Sequence, residues 1–238
     1  MRICVIGLGR LGMSLAVMLE RNGHEVLAID MDERLIEAVK DKVTLAVRAD
    51  ATDEEVLRSL GVQTVDHAVV AIGQDFEATQ LALLACQEVG VPKIHVRATD
   101  AVKQKILRRL DASAKILMPE EEAAKKLARV LSHRSLSELL TLDDEHSVVY
   151  VTTPPKLVGI TLGELKPRER FNVNIIAIKY RASQTLVRKR EDMFSGEGDD
   201  MGPEHIRIPT GKTTIHGGDT LLIIGKDSDI DRFLREYE

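Results

Sequence analysis

From residue 2 to about 118 the chain alternates between two hydrophobic periods. Six short runs of consecutive apolar residues predict strands: Ile3-Cys4-Val5-Ile6, Val26-Leu27-Ala28-Ile29, Leu45-Ala46-Val47, Ala68-Val69-Val70-Ala71-Ile72, Ile94-His95-Val96 and Ala114-Lys115-Ile116-Leu117. Between them, apolar residues recur at helical spacing: Leu11, Leu15, Met18 and Leu19, then Leu35, Ile36 and Val39, then Val56, Leu57 and Leu60. Further helices are predicted over 75–89 and 101–110. Asp32 fits a helix N-cap, as does Thr52 or Asp53, because a short side-chain oxygen satisfies a free first-turn N–H. The strands are continuously apolar rather than alternating, which requires cover on both faces and hence a parallel sheet. Repeated strand–helix units of this length predict an α/β, doubly wound, Rossmann-like domain over 1–118. Its ligand crevice belongs at the carboxyl ends of the strands, where the strand order reverses.

Beyond residue 118 the pattern changes. Ala123, Leu127, Val130 and Leu131 repeat at helical spacing and predict an amphipathic helix over 120–134. Residues 132–137 read as a hinge, so that 119–137 form a crossover helix and linker. The remainder, 138–238, reads as a small α+β domain. Strands are expected at Val148-Val149-Tyr150-Val151, Ile175-Ile176-Ala177-Ile178, Leu186-Val187 and Leu221-Leu222-Ile223-Ile224. A short helix at 162–165 and a last helix holding Ile230, Phe233 and Leu234 complete it. Residues 191–203 form an acidic, glycine-bearing connection, longer than common hairpin loops and expected to be disordered.

Composition narrows the functional classes. Of 238 residues, 33 are Lys or Arg and 38 Asp or Glu, a formal net charge of −5. A mildly acidic chain is a poor partner for a nucleic acid polymer. Aromatics at 3%, with no Trp, argue against base-stacking platforms. No apolar run approaches the ~18–20 residues of a membrane helix, and the first residues enter a strand directly rather than a signal-peptide pattern. Cys4 and Cys86 form no framework, which points to a reducing cytosol and small buried thiols.

The sharpest chemical signal is Gly7, Gly9 and Gly12, a G-x-G-x-x-G between a predicted strand and a predicted helix. Gly7 permits the tight turn, Gly9 lets the backbone approach a pyrophosphate, and Gly12 lets helix and strand pack closely. Free N–H groups and the helix dipole then favour phosphate. Asp30 follows Gly12 by 30 − 12 = 18 residues, close to the ~20 expected for an acid that takes ribose hydroxyls, and it disfavours a 2′-phosphate. The motif indicates an adenosine-containing nucleotide without choosing between NAD, AMP, ADP and ATP.

Signs of a reaction are missing. None of Tyr150, Tyr180 and Tyr237 heads a Tyr-x-x-x-Lys, and the seven histidines are scattered. There is no H-E-x-x-H, paired-cysteine zinc spacing or G-x-S-x-G. Gly211-Lys212-Thr213 reads as a hairpin turn, since a P-loop would need glycine where Ile206 stands. The nucleotide therefore reads as a signal or structural ligand, and the chain as a non-enzyme.

Ile6-Gly7-Leu8-Gly9-Arg10-Leu11-Gly12, Gly23-His24-Glu25-Val26-Leu27-Ala28-Ile29-Asp30, Ala49-Asp50-Ala51-Thr52-Asp53 and Val69-Val70-Ala71-Ile72-Gly73 resemble the RCK (TrkA-N) domain. This is the nucleotide-binding regulatory module of potassium channels and transporters. Nearly the whole chain is similar to KtrA/TrkA-like cytosolic gating subunits of bacterial potassium uptake systems, with 138–238 in the place of an RCK-C (TrkA-C) domain. The resemblance implies a homo-oligomer in which dimers assemble into an octameric ring. The ring would lie in the cytoplasm beneath a membrane-embedded potassium transporter subunit, at the inner face of the plasma membrane. ATP versus ADP would control transport, and an NAD(H)-binding redox sensor or oxidoreductase on the same fold is the alternative.

The resemblance also implies roles for single residues. Gly7, Gly9, Leu11 and Gly12 would hold phosphates and Asp30 the ribose. Asp50, Ala51 and Thr52 would border adenine, and Ala71, Ile72 and Gly73 would line the crevice floor. Arg10 would contact the terminal phosphate bound by a neighbouring subunit, and Glu120 would sit near Mg2+ or another divalent cation. In the second domain Arg168 would meet a phosphate of cyclic di-AMP, with Asn174 and Ile175 facing its base. The connection over 191–203 is longer than is usual in the family.

Overall fold

The computed structural model describes residues 1–143, 145–181 and 204–238, and it divides into two compact units, Met1–Ala123 and Ala124–Glu238. The first unit runs β1 (Arg2–Ile6), α1 (Arg10–Arg21), β2 (Glu25–Asp30), α2 (Glu33–Val39), β3 (Leu45–Arg48), α3 (Glu54–Ser59), β4 (His67–Val70), α4 (Phe76–Glu88), β5 (Ile94–Arg97), α5 (Ala101–Leu110) and β6 (Lys115–Leu117). The helix α6 (Pro119–Ser132) carries the boundary between the units. The strands are all parallel, in the order β3-β2-β1-β4-β5-β6. This is a doubly wound Rossmann order, and its switch point lies between β1 and β4.

Two-residue alternation sends the side chains of β1 to opposite faces, and both faces are core. Cys4 and Ile6 pack with Leu83, Cys86 and Leu107 on one side, while Ile3 and Val5 pack with Ala16, Ile36 and Val39 on the other. Both thiols are free and buried; burial pushes Cys86 up to about 12 and raises Cys4 as well. Of the two expected caps of α3, Asp53 is the one that bonds the first turn. β4 ends at Val70, two residues earlier than its apolar run. The Ala71 N–H still donates to the Ile6 carbonyl at 2.7 Å, after which the chain leaves for α4.

The second unit holds β7 (Leu136–Thr141), β8 (His146–Thr152), α7 (Leu162–Leu165), α8 (Pro167–Phe171), β9 (Asn174–Arg181), β10 (Glu204–Arg207), β11 (Thr220–Lys226) and α9 (Asp227–Tyr237). Its sheet is antiparallel in the order β10-β9-β11-β8-β7. Phe171, Phe233 and Tyr237 meet in its core, the two Phe rings edge-on at 5.3 Å. The expected hinge over 132–137 is a correction. Leu136 is buried and opens β7, and the Ser135 N–H donates to Glu238 at 2.9 Å, so the stretch is tied into the second unit. The expected strand at Leu186-Val187 and the 191–203 connection lie outside the described residues.

Candidate nucleotide site

At the carboxyl end of β1, Gly7 turns with φ +88°, a left-handed conformation that L side chains rarely adopt. Its N–H donates to the Ile29 carbonyl at 2.8 Å, which holds the turn against the end of β2. A Cβ on Gly12 would overlap the Gly7 carbonyl, so α1 packs directly on this elbow. A Cβ on Gly9 would meet nothing within 4 Å. The three glycines thus differ in their surroundings: one turns, one packs, and one keeps an open face.

Gly9 caps α1 without a side chain, and no acid stands in the first turn. The first N–H groups of α1 therefore receive no acceptor from a capping side chain. Every other α-helix start of the first unit, among the described residues, carries acid: Asp32, Asp53, Asp75 and Asp100 as caps, and Glu120 to Glu122 in α6. A helix dipole at an exposed end contributes only about 0.3–1 kcal/mol toward an anion. Phosphate binding here must rest on direct N–H bonds, and the elbow leaves these free.

Asp30 closes β2, and both of its carboxylate oxygens are used by the protein. Oδ2 accepts the Leu8 N–H at 2.6 Å and Oδ1 the Asp32 N–H at 2.8 Å. The side chain is fixed beside the elbow, and each oxygen keeps lone-pair capacity for a hydroxyl. A crevice with a cavity volume of about 210 Å³ opens beside it. Of the residues expected from the sequence, Gly7, Asp30, Asp50, Ala51, Thr52 and Ile72 line it. Asp50 accepts the Thr52 N–H at 3.0 Å and hydroxyl at 2.7 Å, and these bonds hold its carboxyl below the usual range. Gly9, Arg10, Leu11 and Gly12 belong to the elbow and the first turn of α1 and are not among the residues that line the crevice. Ala71 is buried against Gly12, and Gly73 faces Arg97 rather than the crevice. Arg10 is exposed at the first position of α1.

Several lining residues escaped sequence reasoning. Met31 and Ala49 follow or flank the ends of β2 and β3, and Asp75 and Ala78 start α4. For Met31 and Ala49 the signal was available, since each directly follows a strand's last residue. Asp75 caps α4 through the Ala78 N–H at 2.9 Å and adds a third carboxylate to the rim. Apolar walls with Asp30, Asp50 and Asp75 at the edge suit a nucleoside: the walls take a flat base, the acids accept hydroxyl or amine protons, and they repel a 2′-phosphate. Arg97, the last residue of β5, was missed as well, and it hydrogen-bonds Glu120.

The donor set does not fit a metal held by this chain alone. The Glu120 carboxylate is hydrogen-bonded to the Arg97 guanidinium, which, with the Arg10 charge nearby, keeps its pKa below the ordinary value. Among the described residues no three His, Cys, Asp or Glu side chains are grouped to hold an ion. In the second unit Arg168 and Asn174 are exposed, on α8 and at the start of β9. Ile175 is 9% exposed and belongs to the core. Strand alternation turns it inward while Asn174 and Ile176 turn out, which corrects the expectation that its side chain faces a base.

A parallel sheet with this elbow and an acid-rimmed crevice at its switch point defines a Rossmann-type nucleotide-binding module. The family model of the TrkA-N domain matches residues 3–119. The chain is 35% identical to the Ktr system potassium uptake protein C of Bacillus subtilis (strain 168), over 96% of this chain and 94% of that protein. It is 33% identical to the Ktr system potassium uptake protein A of the same organism, over 99% and 96%. The chain belongs to this family of TrkA-N-containing potassium uptake proteins. Among solved structures, the GsuK RCK domain is similar in fold, with a TM-score of 0.61 at 16% identity. That match covers 99% of this chain and 47% of the other.

Proposed function

We propose that this chain is a nucleotide-sensing regulatory subunit of a potassium uptake system, in which ATP and ADP compete for the crevice and bias transport through a membrane-embedded partner. The observation that carries the reading is the elbow: Gly9 with its open face, an α1 start left without acid, and Asp30 fixed beside it. Gly7 and Gly9 with the first N–H groups of α1 would hold the phosphates, Asp30 the ribose, and Asp50 to Thr52 the base. The bound nucleotide supplies a charge whose extent depends on its number of phosphates. Arg10, exposed at the start of α1, suits a terminal phosphate presented by a second copy of the chain, because guanidinium matches phosphate bidentately.

Coupling requires that the two nucleotides bind two shapes of an assembly with different affinity. The assembly we favour is a ring built from dimers, eight chains in all, lying in the cytoplasm against the inner face of the membrane. Among the described residues no helix is long and apolar enough to cross a membrane, which suits a subunit that reaches the bilayer through its partner. The role is one of binding rather than turnover. Reconstituting the chain with its transporter in vesicles and following potassium flux tests this directly. Flux is expected to be several-fold higher with ATP than with ADP, and to lose that difference in Arg10→Ala. Equal flux under ATP, ADP and no nucleotide, or a shift produced only by NADH, contradicts the proposal.

A further inference from the structure

His133 stands one residue past the end of α6, and its side chain is 7% exposed. Within the second unit its ring lies between two carboxylates, Asp231 on α9 and Glu238 just beyond that helix. Nε2 is 3.5 Å from Asp231 Oδ1, and Nδ1 is 3.5 Å from Glu238 Oε2. Arg129, one turn back on α6, shares Asp231 Oδ1 at 3.3 Å and also pairs with Asp227. Its Nη1 donates to the Ser147 hydroxyl of β8 at 3.0 Å. Glu238 reaches further along the chain: its Oε1 accepts the Ser135 N–H at 2.9 Å and the Ser135 hydroxyl at 2.5 Å. Burial pushes the Glu238 carboxyl up, but the Ser135 bonds and the neighbouring His133 outweigh it and hold the group below its ordinary value.

A neutral imidazole has one N–H and one bare lone pair. Between Asp231 and Glu238 it donates toward one carboxylate and turns its lone pair on the other. An imidazolium donates toward both. The charges around the ring point the same way. Asp227, Asp231 and Glu238 stand against the single guanidinium of Arg129. Arg129 opposes a second positive charge, but it is outnumbered, and its own bonds go to Asp227, Asp231 and Ser147. We propose that His133 is a protonation-dependent clasp: as imidazolium it fastens the end of α6 and the start of β7 to α9, and on losing its proton it releases them. Histidine changes charge between about pH 5 and about pH 8, whereas carboxylates titrate near about 4. The hold is therefore complete on the acid side of the histidine range and is lost as pH rises through it. Because α6 carries the boundary between the units, the clasp makes the second unit's grip on the joining helix sensitive to pH.

The test is amide hydrogen exchange of the full chain at about pH 6 and about pH 8, with each rate divided by the intrinsic rate at that pH. In wild type the Ser135 amide and its neighbours over 133–136 are expected to be about fivefold or more better protected at the lower pH. His133→Gln takes up no proton in this range, so its protection should be low at both values and should not change with pH. Asp231→Asn removes one facing carboxylate and should shrink the wild-type difference. Should His133→Gln fold poorly, the wild-type ring reports by itself: long-range proton–nitrogen NMR at about pH 6 should show protons on both His133 nitrogens. The same pH dependence in wild type and His133→Gln, no dependence in wild type, an undiminished one in Asp231→Asn, or a singly protonated ring at about pH 6 overturns the proposal.

Discussion

His67 and His95 sit on neighbouring strands with Nδ1 and Nε2 3.1 Å apart and rings 5.4 Å apart between centroids. They share a hydrogen bond only while at least one ring is neutral. Burial lowers the pKa of His95, and His67, Lys115 and Lys93 push the same way. The folded chain thus takes up a proton here less readily than the unfolded chain, whose histidine titrates near ~6.5. The stability from this contact is complete above about pH 6.5 and is lost as pH falls through the lowered folded value. The urea midpoint of wild type should therefore drop further between about pH 7.5 and about pH 5.5 than that of His95→Gln. Parallel losses would contradict this. Nothing in the sequence announced the pair, because contact between β4 and β5 residues depends on register, and register is a tertiary fact. Asp30 was legible for the opposite reason, since its place at a strand end follows from the local period alone. Its second task, tying the Leu8 N–H to β2, needed coordinates.

Among elements, α6 departs most from the amphipathic rule. None of its residues is buried, Leu127 is 57% and Leu131 76% exposed, and Val130 alone of its apolar stripe packs against the core of the second unit. Arg129 fixes its last turns by pairing with Asp227 at 2.5 Å and with Asp231 at 3.3 Å. An apolar face left in water costs about 25 cal/mol per Å² relative to a covered one. A second copy of the chain laid on that face would remove this cost. Leu127→Glu with Leu131→Glu should then shift the molecular mass in sedimentation toward the monomer with the thermal midpoint of the second unit little changed. An unaltered assembly would sink that reading. The periodicity gave the helix and its stripe correctly. It could not say whether the stripe met its own sheet or a partner, since both produce the same spacing.

At the scale of the molecule, the parallel sheet was legible because its strands are apolar throughout, whereas the order β3-β2-β1-β4-β5-β6 came only from the structure, since doubly wound sheets occur in more than one order. The second unit was less so. β7 runs through residues read as a hinge, because Ser135-Leu136-Ser137 has too little apolar alternation to signal a strand by itself. The helix α8 was missed because Pro167 and Asn172, the latter at φ +57°, confine it to five residues, too few for periodicity. The crevice was partly legible: Gly7, Asp30, Asp50, Ala51, Thr52 and Ile72 were expected there, and Met31, Ala49, Asp75 and Ala78 were not. The elbow remains the centre of the account, and Gly9 offers the cleanest access to it. A Cβ there meets nothing within 4 Å, and its extended backbone suits a β-branched side chain, so the fold should stand while a valine fills the open face. Equilibrium binding of ATP to wild type and Gly9→Val, with unfolding midpoints measured alongside, should show affinity reduced about tenfold or more at an unchanged midpoint. Equal affinity in the two proteins would mean that adenine nucleotides do not bind across the glycine turn.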